Sequence, residues 1–233
     1  MAIFSLLLII SLSTALFVYV RRNRRSQREQ RIRTYMFPPG LLDQLQARRP
    51  ELNLKDRQLV ARALRQFFLV YLHSGFKQVA MPSQLVDDLW HEFILYTQHY
   101  QAFCQHAFGR YLHHTPAAVL GASANNNAHI RRTWWYACLE ENINPRHATR
   151  LPLLFALDAK YGIADGFQYQ ARCREQEQSG AGDVYCASDF YPDSSSGDAN
   201  SYAFSDDSHS AGDSSSDSAS CSGGCSGGCS GGD

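Results

Sequence analysis

Residues 81–116 read MPSQLVDDLWHEFILYTQHYQAFCQHAFGRYLHHTP and carry a dense set of histidine, acidic, tryptophan and cysteine side chains. Pro82 and Ser83 are typical of a helix start, and Gly109 is typical of a helix end. Seven apolar positions fall within about 80° of one another on a helical projection: Leu85, Leu89, Phe93, Tyr96, Tyr100, Phe103 and Ala107. The pattern predicts one helix over residues 83–108, mostly buried against a core.

The surrounding sequence also predicts helices. Apolar residues recur at helical spacing over residues 41–47, 54–74, 128–142 and 152–161. Gly75 and Gly162 stand where C-terminal helix caps belong. The middle of the chain has no run of alternating apolar and polar residues that would indicate a strand. We therefore expect an all-α domain, an irregular bundle of five or six helices.

The N-terminal segment predicts a transmembrane anchor over residues 1–20. Its 19 residues from Ala2 to Val20 carry no charge, and as a helix they would span about 28 Å of a hydrocarbon core about 30 Å thick. Arginines follow the apolar run directly, so the positive-inside rule predicts a single-pass protein with its C-terminal domain in the cytoplasm. The alternative is a cleaved secretory signal, but such signals carry basic residues before the apolar run, where this chain has only Met1.

Charge is strongly segregated along the chain, although the formal net charge is zero. Seven arginines and one acid lie between Arg21 and Arg33, whereas two Glu, nine Asp and no basic residue follow Arg174. This predicts four segments: an anchor (1–20), a basic juxtamembrane segment (21–33), a helical globular domain (34–175) and a disordered acidic Ser/Gly/Cys-rich tail (176–233). Because the membrane explains the arginines, we expect them to contact anionic headgroups and do not expect a nucleic-acid partner.

The tail ends in a repeat of Cys-Ser-Gly-Gly that begins at Cys221, Cys225 and Cys229. Three thiolates at this spacing in a glycine-rich chain form one candidate metal site. The alternative is a low-complexity terminus whose thiols are redox-active or without function. The acidic tail is also expected to contact a protein partner. With seven cysteines in all, an odd number, we expect free thiols in a reducing compartment rather than a disulfide framework.

A second candidate metal site lies in the central stretch. Asp87 and His91 are four residues apart, so their side chains meet on one helix face. His113 and His114 follow Gly109, where the chain can turn back toward a neighbouring helix. These four residues would supply oxygen and nitrogen ligands for zinc or iron, or an acid/base pair. The alternatives are an ordinary surface pair and histidines that cap helix carbonyls.

Three short patterns in this stretch resemble a known family. They are Asp-Asp-x-Trp-His-Glu, then Tyr-x-x-Phe-Cys, then Gly-x-Tyr-Leu-His-His-x-Pro, and they resemble the helical domain of the glycine-rich domain-containing proteins of bacteria and plants. The resemblance implies that the centre of the domain consists of Trp90, His91, Cys104, His113 and His114. It implies no particular reaction. The RNA-binding and long glycine-rich modules of some plant members are missing from this sequence, so their roles do not transfer.

Three functions follow as hypotheses. The leading one is a membrane-anchored cytoplasmic adaptor, because the sequence holds an anchor, a buried helical domain and no recognised catalytic motif. The first alternative is a metal-dependent enzyme that uses the Asp/His cluster. The second is a metal or redox buffer that works through the C-terminal cysteines.

Overall fold

The computed structural model describes residues 2–114, 124–171, 184–186 and 190, all within a compact unit that spans Met1–Ser194. These described residues form seven helices and two short strands, so the prediction of an all-α bundle is confirmed. The helices are α1 (Ala2–Arg33), α2 (Leu41–Arg48), α3 (Leu54–His73), α4 (Gln84–Leu95), α5 (Thr97–Ala107), α6 (Ala124–Glu140) and α7 (Leu153–Tyr161), and the strands are β1 (Gln168–Gln170) and β2 (Val184–Cys186).

Helix α1 runs without a break through the predicted anchor and the basic segment. It is long and apolar enough to cross a membrane, and its apolar N-terminal part is exposed; a signal sequence passes the same test of length and composition. Its last turns belong to the domain, because Ile32 is fully buried and the helix packs against α3 and α5. A single rigid element therefore joins the apolar segment to the core.

Helix α3 is the centre of the bundle and contacts α1, α2, α4, α6 and α7. It begins with a capping box in which Asn53 accepts from the Asp56 amide while the Asp56 side chain accepts from the Asn53 amide. Phe68 is fully buried in an aromatic cluster, with ring centroids 4.7 Å from Phe103 and 6.1 Å from Phe108. Packing of these large rings stabilises the bundle more than helix propensity does.

The predicted single helix over residues 83–108 is wrong in one respect, because the chain breaks at Tyr96 into α4 and α5. Tyr96 has a ψ of 60°, and its amide donates to the Phe93 carbonyl. The break lets α4 pack against α2 and α3 while α5 packs against α1. No proline or glycine marks this position, so the change of direction follows from packing on two different partners. The predicted buried stripe is otherwise confirmed, with Tyr96 only half-buried.

The start of α4 is fixed by a buried carboxylate that the sequence did not single out. Asp158 of α7 accepts from the Ser83 hydroxyl at 2.6 Å, the Gln84 amide at 2.7 Å and the Phe167 amide at 2.9 Å. Ser83 in turn caps the helix by accepting from the Val86 amide. Charge-assisted hydrogen bonds to a helix N-terminus are strong, so Asp158 ties α7 to the helix that carries Asp87 and His91.

Two short strands depart from the expectation of a domain without strands. Strands β1 and β2 pair in parallel, with Tyr169 opposite Tyr185. Three residues are too few to give a visible alternating pattern, which is why the sequence did not reveal them. Phe190 is also buried, with its ring 5.7 Å from Trp134. The packed domain thus includes side chains beyond residue 175.

The cysteines differ in state. Cys104 and Cys138 are free and buried, as expected. Cys186 is disulfide-bonded, so the expectation of free thiols is wrong for this residue, and its partner lies outside the described residues. A disulfide arises where two thiols meet in the fold, and spacing along the chain does not reveal that. Cys221, Cys225 and Cys229 lie outside the described residues, as does the rest of the predicted tail beyond Phe190.

Candidate metal centre

Three predicted ligands converge on one another at the surface of α4. The Oδ2 atom of Asp87 lies 3.4 Å from Nδ1 of His91, and Oδ1 lies 2.8 Å from Nε2 of His114. The imidazole centroids of His91 and His114 are 4.2 Å apart. One donor atom from each of the three residues lies within 4.8 Å of the others, a spacing that could hold a metal ion.

The chain reversal after α5 brings His114 to α4. Gly109 adopts a φ of +73°, in the left-handed region that glycine occupies without strain, and the chain then turns back. Leu112 is buried, and its carbonyl accepts a 2.6 Å hydrogen bond from the Tyr100 hydroxyl. This bond fixes the segment two residues before His114.

Trp90 holds the other side of His114. Its indole Nε1 donates to the Tyr100 hydroxyl at 3.2 Å, and its ring meets the imidazole edge-on at a centroid distance of 4.5 Å. Trp90 and Tyr100 are both buried, and burial raises the pKa of the Tyr100 phenol far above its ordinary value. Tyr100 therefore stays a neutral hydrogen-bond donor. In this way the core orients the imidazole of His114 from behind.

The cluster is closed on its core side and open on its outer side. The His114 side chain is 11% exposed, Asp87 19% and His91 41%. Donors bound to zinc at about 2.1 Å in a tetrahedron would lie about 3.4 Å apart, so the three side chains, whose donor atoms lie within 4.8 Å of one another, would adjust to hold an ion. Two imidazoles and a carboxylate suit zinc or iron, and a three-ligand site that faces solvent keeps a coordination position for water or substrate.

The neighbouring carboxylate, Asp88, forms an ion pair with Arg49 and is not part of the cluster. It is buried and lies 2.7 Å from a guanidinium nitrogen of Arg49, which also contacts Asp165 at 3.0 Å. Hydrogen bonds to Asp165 and Asp88 hold the pKa of Arg49 above its ordinary value. Asp88 thus joins α4 to the residue after α2 as an ion pair, and the charge of Asp87 remains for the cluster.

The remaining predicted residues lie elsewhere. His113 is exposed and packs on Tyr111 at a centroid distance of 4.8 Å, so it is not one of the three converging ligands. Cys104 is buried in the core, where burial raises the pKa of its thiol. His99 and His106 are exposed.

Sequence reasoning missed two supporting residues, Tyr100 and Asp158. Tyr100 belongs to the predicted apolar stripe, and its spacing from Trp90 along the chain does not reveal a hydrogen bond between the two side chains across the Tyr96 break. Asp158 lies in a short helix far along the chain, and an aspartate among apolar residues was the only signal.

The chain belongs to the UCP032817-like family, whose sequence profile matches residues 27–190. The matched region begins within α1 and ends at Phe190, so it contains the Asp87/His91/His114 cluster and both strands. No curated protein and no solved structure matches the chain. The resemblance to the glycine-rich domain-containing proteins is not part of the family match and stays a prediction.

Proposed function

We propose that this chain is a membrane-anchored protein whose helical domain binds zinc or iron through Asp87, His91 and His114 and uses the ion in a metal-dependent reaction. The observation that carries the proposal is the convergence of three donor atoms within 4.8 Å. A metal ion in such a site acts as a Lewis acid and lowers the pKa of a bound water. From the sequence alone, a metal-dependent enzyme is an alternative to the adaptor. Because of the converging ligands, we now prefer the enzyme.

Each ligand has a distinct part. Asp87 supplies the negative charge that offsets the cation, and its two carboxylate oxygens contact one imidazole each. His114 is held from the core by Trp90, which fixes the direction of its ring nitrogens. His91 is the most exposed of the three, so the open side of the site lies next to it. A substrate would approach there, because the core closes the opposite side.

The test is the metal content of the full-length protein, purified in detergent without chelators and measured by elemental analysis. We expect about one zinc or iron per chain, lost in Asp87→Ala and His114→Ala. His113→Ala is the matched control, since it removes an adjacent but outward-facing imidazole and should keep the metal. A metal-free wild type of full stability would overturn the proposal, as would equal loss in the control.

The adaptor remains a second proposal and rests on a different observation. Leu95 is 71% exposed one turn beyond His91, and Tyr111 is 43% exposed, so apolar side chains stand on the described surface of α4 and of the loop after α5. A photo-crosslinking residue at Leu95 in intact membranes should give a discrete adduct if a partner docks there. The same residue at Leu139, which is 49% exposed on α6, is the control. Equal labelling at both positions would argue against the adaptor.

The predicted topology is a proposal as well. The arginine flank supports an uncleaved anchor with the domain in the cytoplasm. The disulfide of Cys186 points the other way, since disulfides form mainly in oxidising compartments. Fusion of a compartment-specific reporter to the C-terminus decides the side. An active periplasmic or luminal reporter would overturn the cytoplasmic placement and leave the metal site untouched.

The part of the tail beyond Phe190 supports no function that can be argued from contacts, because it lies outside the described residues. A protein partner for the tail and a metal or redox buffer at Cys221, Cys225 and Cys229 stay predictions. If the buffer hypothesis is right, deletion of residues 220–233 removes all bound metal. If the centre at Asp87 is right, that deletion leaves one ion per chain.

A further inference from the structure

One end of the domain is formed by three segments that contain basic residues but no acid. They are residues 21–28 of α1, residues 74–80 after α3 and residues 108–112 after α5. Together they hold seven cationic side chains: Arg21, Arg22, Arg24, Arg25, Arg28, Lys77 and Arg110. We call this surface the basic end. It stands out because the formal net charge of the whole chain is zero.

The loop after α3 lies beside the arginines of α1. A guanidinium nitrogen of Arg25 donates to the His73 carbonyl at 3.4 Å, and His73 Nε2 lies 3.4 Å from a Glu29 oxygen. Earlier in α3, Arg65 donates to the carbonyl of Tyr35 at 2.9 Å. The two helices are thus antiparallel, and α3 ends on the side of α1 that leads to the apolar run.

The loop after α5 also lies beside α1. Arg31 donates to the His106 carbonyl. Arg28, three residues closer to the apolar run, lies against Gly109: a Cβ atom added to Gly109 would be 2.9 Å from Nη2 of Arg28. The guanidinium carbons of Arg28 and Arg110 lie 5.9 Å and 4.9 Å from the ring centroid of Phe76. Phe76 therefore joins the two loops and α1 into one surface.

The depth of this surface follows from helix geometry. Arg25 and Arg28 lie about 7.5 Å and about 12 Å along α1 beyond Val20, at about 1.5 Å per residue. The polar layer of a bilayer extends about 5–8 Å beyond the hydrocarbon on each side. Long basic side chains can reach back over several ångströms. If Ala2–Val20 spans the membrane, the basic end faces the headgroups, and the unbroken α1 keeps it there.

We propose that the basic end is a docking surface for anionic phospholipid headgroups, through which the domain itself, and not only its anchor, contacts the membrane. The inference rests on the proposed anchoring by α1 and is independent of the proposed metal site. Charge complementarity and continuity with the apolar helix select this partner. The orientation of the domain would then depend on the lipid composition of the membrane.

The experiment compares full-length protein in nanodiscs of phosphatidylcholine with nanodiscs that also contain phosphatidylglycerol. Amide hydrogen exchange of residues 74–80 and 108–112 reports docking. We expect slower exchange in the anionic discs, and a loss of this protection by about fivefold for each cation removed in Lys77→Gln and Arg110→Gln. The matched control, Arg146→Gln with Lys160→Gln, removes two charges from outside the basic end and should keep the protection.

Equal exchange in the two kinds of disc would overturn the docking surface, as would equal loss in the control. So would protection of the same segments by a single-stranded RNA in detergent. Metal content measured on the same samples separates the two proposals. If metal is bound but amide exchange is the same in both kinds of disc, only the docking surface is overturned. If exchange slows in the anionic discs but no metal is bound, only the metal centre is overturned.

Discussion

The Nε2 atom of His114 lies 2.8 Å from Oδ1 of Asp87, although 27 positions separate the two residues in the chain. Local helix geometry cannot create this contact. It needs the break at Tyr96, the reversal at Gly109 and the anchoring of Leu112 by the Tyr100 hydroxyl. The contact between Asp87 and His114 therefore forms only when α4, α5 and the loop after α5 are folded together.

Removal of the indole hydrogen bond behind His114 should weaken metal binding. In Trp90→Phe the Tyr100 hydroxyl loses the donor at 3.2 Å, so the support of His114 relaxes. Loss of a group hydrogen-bonded directly to a ligand lowers metal affinity about 10- to 100-fold. Because Trp90 acts on His114 through Tyr100 and a ring contact, we expect a fall of at most about 10-fold, with the helical content kept. Competition with a fluorescent chelator measures the affinity.

The control for this change is Trp134→Phe. Trp134 is equally large and buried, and its Nε1 donates to the Pro145 carbonyl at 3.0 Å, away from the cluster. It should lower the melting temperature and leave metal affinity unchanged. If both variants lose affinity alike, the effect reflects general destabilisation and not the support of His114.

Loss of the Asp158 carboxylate should destabilise the fold. Asp158→Ala leaves the Ser83 hydroxyl and the amides of Gln84 and Phe167 without their acceptor, and unsatisfied buried groups cost about 1–3 kcal/mol. Chemical denaturation in detergent should show a lower free energy of unfolding by at least that amount. Asp165→Ala is the control, because Asp165 is 58% exposed and its loss should cost less than about 1 kcal/mol.

Gly166→Ala tests the same contact from the other side. A Cβ at residue 166 would lie 2.7 Å from the Cβ of Asp158, closer than two carbon atoms approach without a shift of the backbone. We expect a lower melting temperature and a weakened start of α4. Gly75→Ala provides a contrast, since nothing lies within 4 Å of its added Cβ and only the φ of +70° opposes the change. An unaffected melting temperature in Gly166→Ala would contradict the described packing around Asp158.

Acid should destabilise the domain through Glu141. Burial raises the pKa of Glu141, but the Leu153 amide at 2.6 Å, Arg150 and Gln66 outweigh it, so the pKa lies below the ordinary 4.5. A carboxyl with a lowered pKa in the folded state stabilises fully above its unfolded pKa. This contribution is lost as the pH falls from about 4.5 through the folded pKa. Melting temperatures from pH 7 to pH 3 measure it, and the acid-dependent drop should be smaller in Glu141→Gln.

The buried thiols should resist alkylation. Burial raises the pKa of Cys138 to about 12, with a further contribution from Glu141, and burial also raises the pKa of Cys104. Both thiols are therefore protonated and shielded near neutral pH. Iodoacetamide should modify neither in the folded protein and both after denaturation, as read by mass spectrometry of their peptides. Rapid labelling of Cys138 in the native state would contradict its burial on the face of α6 that packs against the core.

Apolar periodicity was enough to predict most helices, because burial of one helical face repeats every three to four residues and is written in the local sequence. Residues 54–74 and 152–161 became α3 and α7 within one residue at each end, with Gly75 and Gly162 as caps. The exposed apolar start of α1 also follows from composition alone. Local spacing even predicted the Asp87–His91 pair, since residues four apart share a helix face.

Tertiary structure decided the rest. The break at Tyr96, the choice of His114 over His113, and the supporting roles of Tyr100 and Asp158 all depend on contacts between separate segments of the chain. Local propensity cannot encode such contacts, because they form only when separate helices pack. The sequence by itself determined which residue types were available for a metal site, and packing of α4 against the returning chain determined which three of them meet.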